Sequence, residues 1–121
     1  MPVNYGEAIN ELANEISDIA EYKGFWDFTE DEKLLIPIKL ALVHDEVSEA
    51  LRVHRNPYDD DSVDAVTGLT PMQEDDFTEE LADIVIRVLD LAGYYDLDIG
   101  RSLVSKVEHN KGRPQRHGKR Y

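Results

Sequence analysis

Four acids repeat one spacing at two places: Glu46 and Glu49 within LVHDEVSEALRV (residues 42–53), and Glu80 with Asp83 further along. Residues three or four apart share a helix face, and the progression Leu35, Ile38, Leu42, Glu46, Glu49, Val53 advances by three and four throughout. Burying that face buries two carboxylates. Glu80 and Asp83 lie at the edge of a second apolar arc, with Arg87 one turn on. Two like unit charges about 4 Å apart repel by about 4 kcal/mol at an effective dielectric of about 20, so a cleft holding four carboxylates requires compensation. Either Lys and Arg pair with them or divalent cations do. Arg87 and Lys39 are the obvious bases nearby, and two bases cannot neutralise four acids. Hard cations that prefer oxygen ligands fit better: Mg²⁺, with Mn²⁺ able to substitute. Glu15 and Asp18 share the spacing but point away from the apolar stripe of their helix, where acids are merely solvated.

The elements that must position these acids are helical. Tyr5, Ala8, Ile9, Leu12, Ala13, Ile16, Ile19 and Ala20 recur at helical spacing and Gly24 follows as a stop. Thr29 and Glu32 have the spacing of a capping box for a second helix that reaches about Arg55, and Pro37 either kinks it or forms its first residue after a separate lead-in. Two stripes, one through Leu35 and Leu42 and one through Ile36, Leu40, Val43, Val47 and Leu51, make this the expected central helix. Residues 56–76, with seven acids, two prolines and a glycine, read as a long connection. Asp76, with Glu79, then caps a third helix whose stripe is Leu81, Ile84, Val85, Val88, Ala92 and Tyr95. The expectation is an all-α bundle in one domain (1–121), with helices near 5–23, 30–55, 77–96 and 99–110 and a basic tail over 111–121. The apolar allotment is large for four helices, so the core is expected to be completed in a homodimer or homotetramer.

Composition narrows the function classes. Hydrophobic residues at 41% and charged residues at 32% describe a chain that folds rather than a disordered one. The net charge of −13 is uneven: residues 101–121 carry seven bases against one acid, Glu108, leaving the first hundred residues at −19. Such a body repels duplex DNA, so stable nucleic-acid binding is not expected. Without cysteine there is no thiolate metal site or disulfide, which fits a reducing cytoplasm. MPVNYGE has no signal-peptide pattern and no apolar run reaches membrane-spanning length. The expectation is a cytoplasmic protein with no membrane partner.

E-x-x-E at Glu46 and Glu49 followed by E-x-x-D at Glu80 and Asp83 resembles the MazG-like nucleoside triphosphate pyrophosphohydrolases, relatives of dCTP pyrophosphatase and the dimeric dUTPases. KGFWDF, EALRVHR and the pattern K-x-x-x-N-x-x-R-P at Lys106, Asn110, Arg113 and Pro114 extend the resemblance from about residue 15 to the end. It implies hydrolysis of a nucleoside triphosphate to the monophosphate and pyrophosphate, with Glu46, Glu49, Glu80 and Asp83 as Mg²⁺ ligands and Lys106, Asn110 and Arg113 as phosphate or nucleotide contacts. Glu46 or Glu49 could instead serve as general base. The long acidic connection departs from the family pattern and is open to reading as a lid, a specificity loop or an assembly contact.

Trp26 is either a plug over the helix ends or a stacking surface for the base, as an aromatic near the N-terminus is in the family. His44, His54, His109 and His117 lack zinc-ligand spacing and do not share the face of Glu46 and Glu49. Lys119 and Arg120 are either a solvated end or part of a tail that folds over a neighbour's site. A helical assembly protein with a structural divalent-ion site is the competing function; it leaves Lys106, Asn110 and Arg113 without a purpose.

Overall fold

In the computed structural model of the protein, which describes residues 2–55 and 63–114, the side chain of Asn4 accepts from the amide of Glu7 and opens helix α1 (Tyr5–Tyr22). The helix stops where the sequence predicts: Gly24 has φ +77°, and the amides of Gly24 and Phe25 return to the carbonyls of Glu21 and Ala20. That double closure needs a left-handed residue at position 24, which glycine adopts without strain.

Thr29 and Glu32 do not make the expected capping box. Thr29 Oγ1 takes the amide of Asp31, Asp31 caps a single 3-10 turn (Glu32–Leu34), and α2 runs Leu35–Arg55. Pro37 is its third residue, where the missing N–H would have no intrahelical partner, so the helix needs no kink to accept it. Helix α3 (Pro71–Tyr94) begins six residues before the expected start. Its cap is Thr70, with Pro71 at the first position and Gln73 completing a reciprocal capping box: Gln73 N donates to Thr70 Oγ1 (3.2 Å) and Thr70 N to Gln73 Oε1 (2.9 Å). Gln73 Nε2 also donates to Val53 O, pinning the start of α3 to the end of α2. Part of the expected long connection is therefore helix. Residues 64–69 form a turn held by Asp64 Oδ1, which accepts from Val66 and Thr67 amides, and residues 56–62 lie outside the described part. Asp98 caps α4 (Ile99–Lys111).

The described residues are all helix and connection, without strand. None of their helices is long and apolar enough to cross a membrane. Helix α3, rather than α2, is the central element, packing against both α1 and α2, while α4 packs on α1. Close approach is achieved with small residues: a side chain at Gly93 would collide with Ala13 of α1, and one at Gly100 with the backbone of Gly6. The acid-bearing stripe of α2 turns inward as expected, with Leu35 and Glu46 buried and Ile38, Leu42, Glu49 and Val53 half-buried. The second stripe does not: Ile36, Leu40, Val47 and Leu51 are exposed. On α3 the expected apolar stripe is also largely outside, since Leu81, Val85 and Val88 are exposed while Gln73 and Asp90 are buried.

Candidate metal centre

Helices α2 and α3 run antiparallel, as the pairings Val53–Gln73, Glu46–Arg87 and Lys39–Asp90 require. Their facing stripes therefore bring the E-x-x-E and E-x-x-D segments to one level. Carboxylate oxygens of Glu46, Glu80 and Asp83 lie within 4.8 Å of one another. Oxygens on opposite sides of a hard cation bound at about 2.0–2.6 Å stand about 4–5 Å apart, so the three are placed to share one. Glu46 is 8% exposed, Glu80 half-buried and Asp83 exposed, which gives the group a buried side and an open side. Glu49, half-buried, adjoins Glu80 rather than joining the converging three. Glu15 and Asp18 are exposed on α1.

Electrostatically the group is short of positive charge. Arg87 Nε pairs with Glu46 Oε1 at 3.1 Å, and among the described residues no other Lys or Arg pairs with these four acids. Among the described residues Glu80 Oε2 is buried without a hydrogen-bond partner. Burial raises the Glu80 carboxyl above its ordinary value, and the charges of Glu49, Asp83 and Glu46 and a hydrogen bond with Glu49 push it the same way. An orphaned buried carboxylate oxygen among three other acids is the donor set a divalent cation satisfies.

Lys39, the second base expected to offset the acids, is committed elsewhere. It is 4% exposed, donates to Phe25 O (2.9 Å), lies 3.9 Å from Asp90 Oδ2 and sits 4.2 Å from the centre of the Trp26 ring. Burial lowers its pKa from the ordinary lysine value, Asp90 offsets part of that, and Arg87 adds to it. Asp90 also accepts from Trp26 Nε1 at 3.0 Å. Sequence reasoning missed Asp90, although it lies two turns past Asp83 on the same face, as Lys39 lies two turns before Glu46.

Trp26 is the plug. Tyr94 stacks on it with ring centres 3.5 Å apart, Lys39 lies over the ring, and Tyr95 meets it edge-on, so the ring of this chain offers no free face to a base. The space beside the acids is instead a cavity of about 540 Å³ between α1, α2 and α3. Its walls are apolar (Ile16, Phe25, Leu42, Ile86), and Lys39, Arg87, Asp90, Glu46 and Asp83 supply its polar lining.

Helix α4 does not reach this cavity. It meets α1 at Gly6 and Asn10, whose side chain bonds Asp98 Oδ1 and the Gly100 amide, whereas the cavity draws on Ile16, Ile19 and Ala20 at the other end of α1. Lys106 is exposed and lines a separate cavity with His109 and Leu97. Asn110 and Arg113 are exposed too, and Arg113 lies beyond the helix end. Within one chain these three residues do not face the acids, contrary to the expected arrangement. His44 and His54 are exposed, and His54 Nε2 bonds Thr67 O; no His joins the acidic group among the described residues. His117, Lys119 and Arg120 lie outside the described residues. No known protein family, curated protein or solved structure matches this chain.

Proposed function

We propose that the protein is a Mg²⁺-dependent nucleoside triphosphate pyrophosphohydrolase of the MazG-like kind, acting in the upkeep of a cytoplasmic nucleotide pool. The observation that carries this reading is the convergence of Glu46, Glu80 and Asp83 around a buried Glu80 oxygen that has no partner among the described residues, beside a cavity large enough for a ligand and lined by two cations. Glu46, Glu80 and Asp83 would hold the ion, with Glu49 joining from beside Glu80, and Mn²⁺ would replace Mg²⁺. Bound there, the ion would orient the triphosphate, acidify a water and stabilise charge on the departing pyrophosphate.

The protein's own groups divide the remaining work. Arg87 pairs with Glu46, and among the described residues Glu49 has no cationic partner, which leaves Glu49 the better-placed acceptor of a water proton. The water oxygen bonds to a phosphorus on one side of the α–β bridge, the bridging P–O bond breaks, the proton passes to Glu49, and monophosphate and pyrophosphate separate. The apolar cavity walls suit the flat face of a base.

Lys106, Asn110 and Arg113 take their phosphate-binding role from the resemblance, and in this reading a second copy brings them to the acids. The exposed Leu40, Val47 and Leu51 of α2 and Leu81, Val85 and Val88 of α3 supply an apolar face for such a homodimer or homotetramer. The same face favours the competing reading, an assembly protein whose acids hold a structural ion. Pyrophosphate release from a panel of nucleoside triphosphates, with and without Mg²⁺, separates the two: the enzyme releases it only with Mg²⁺, and release from no substrate overturns the catalytic reading.

A further inference from the structure

Among the described residues one cationic side chain pairs at the acid level, and it is bound to a residue of the converging three. Arg87 hydrogen-bonds Glu46 through Nε, the nitrogen nearest its stem, while Glu46 also turns an oxygen toward Glu80 and Asp83. A guanidinium and a divalent cation in such proximity compete for one carboxylate and repel each other. The Glu46 side chain is 11% exposed and that of Arg87 35%, so Arg87 has the more room to turn. Arg87 also lines the 540 Å³ cavity, together with the buried Lys39.

We propose that Arg87 is a displaceable counterion: it holds Glu46 in the cation-free protein, and when a cation binds it releases Glu46 and turns its guanidinium into the cavity to hold a phosphate oxygen of the ligand. This rests on the metal-site reading above and adds a coupling to it. Lys39 cannot move aside, being tied to Phe25 O and Asp90. A released Arg87 therefore stands near a second fixed cation, and an entering anion relieves the repulsion. Cation and anion then strengthen each other's binding, and by linkage the effect is reciprocal.

The test follows the Arg87 Nε–Hε signal of the intact protein by NMR through a Mg²⁺ titration and then with a non-hydrolysable nucleoside triphosphate analogue. Mn²⁺ binding is measured in parallel for the wild type and Arg87→Met. The Hε proton is expected to be protected from exchange without metal, to lose protection with Mg²⁺, and to regain it with the analogue. Arg87→Met is expected to bind Mn²⁺ roughly three- to tenfold more tightly and to lose the mutual enhancement between Mn²⁺ and the analogue. An unchanged Hε signal at saturating Mg²⁺, or Mn²⁺ affinity in folded Arg87→Met equal to or weaker than wild type, overturns the proposal and leaves the metal site standing. Wild type that binds no Mn²⁺ defeats both. If Arg87→Met does not fold, the wild-type signal decides alone.

Discussion

Lys39 meets Asp90 across α2 and α3 two helical turns from where Glu46 meets Asp83, about 10 Å along the helix pair. The first level is closed: one buried cation faces one buried anion, and Phe25 O, Trp26 Nε1 and the Trp26 ring take up further contacts. The second is open, with four acids, one arginine and a buried oxygen that bonds to nothing among the described residues. Both sit on the same inward stripes, so the difference arises from residue choice rather than from the helices that carry it. The closed level satisfies its own polar groups, whereas among the described residues the acid level leaves Glu80 Oε2 without a partner, a role the proposed cation would fill.

The largest separation between the levels is expected in catalysis. Glu49→Gln and Asp83→Asn should each lower kcat by about a hundredfold or more while the fold survives, because charge or ligand geometry is lost at the reacting phosphate. Steady-state kinetics with circular dichroism checks this, and near-wild-type turnover in both variants breaks the comparison. At the closed level the expected damage is to stability. Asp90→Ala strands a buried Lys39 and frees the Trp26 N–H, and should cost about 3–5 kcal/mol in denaturant unfolding; a loss below about 1 kcal/mol would place the pair in the surface class.

A pH series sharpens the contrast. The raised Glu80 carboxyl binds its proton more tightly in the folded state than in the unfolded chain. Its destabilisation of the metal-free protein is therefore present above its folded pKa and fades as pH falls through that value toward the ordinary carboxylate range. Asp64, held low chiefly by the Thr67 amide, and Asp98, held low chiefly by the Asn10 side chain, have the opposite sign and lose their stabilisation as pH falls. The difference between wild type and Glu80→Gln removes those common contributions. In a chelator, Glu80→Gln should melt higher near neutral pH and converge with wild type in acid; a constant offset contradicts the account. The smallest effect belongs to α4: Lys106→Ala and Arg113→Ala should raise KM several-fold with less change in kcat, as contacts made in both ground and transition states do.

The acid level was legible because the alternation of three and four through Leu42, Glu46, Glu49 and Val53 admits one face, and burying its apolar members carries the acids inward. Gly24 was legible as the stop of α1. Thr-Pro-Met-Gln at 70–73 carries a capping box and an N-terminal proline, but the surrounding acids drew attention to Asp76, which lies within the first two turns of α3. Periodicity also identified the apolar stripe of α3 without telling which side it faces. Contact with α2 runs through Gln73, Arg87 and Asp90 and contact with α1 through Gly93, positions that an apolar-stripe criterion passes over. The placement of α4 depended on Gly6 and Gly100 allowing a close crossing with α1, a long-range fit that residue spacing does not encode.

Thermal unfolding of the full chain across a Mg²⁺ titration tests the open level most directly. An ion bound only by the folded state stabilises it by mass action, so the melting temperature should rise through the millimolar range, Mn²⁺ should do the same, and Asp83→Asn should blunt both shifts. A melting temperature that stays constant in wild type across that range contradicts the metal centre.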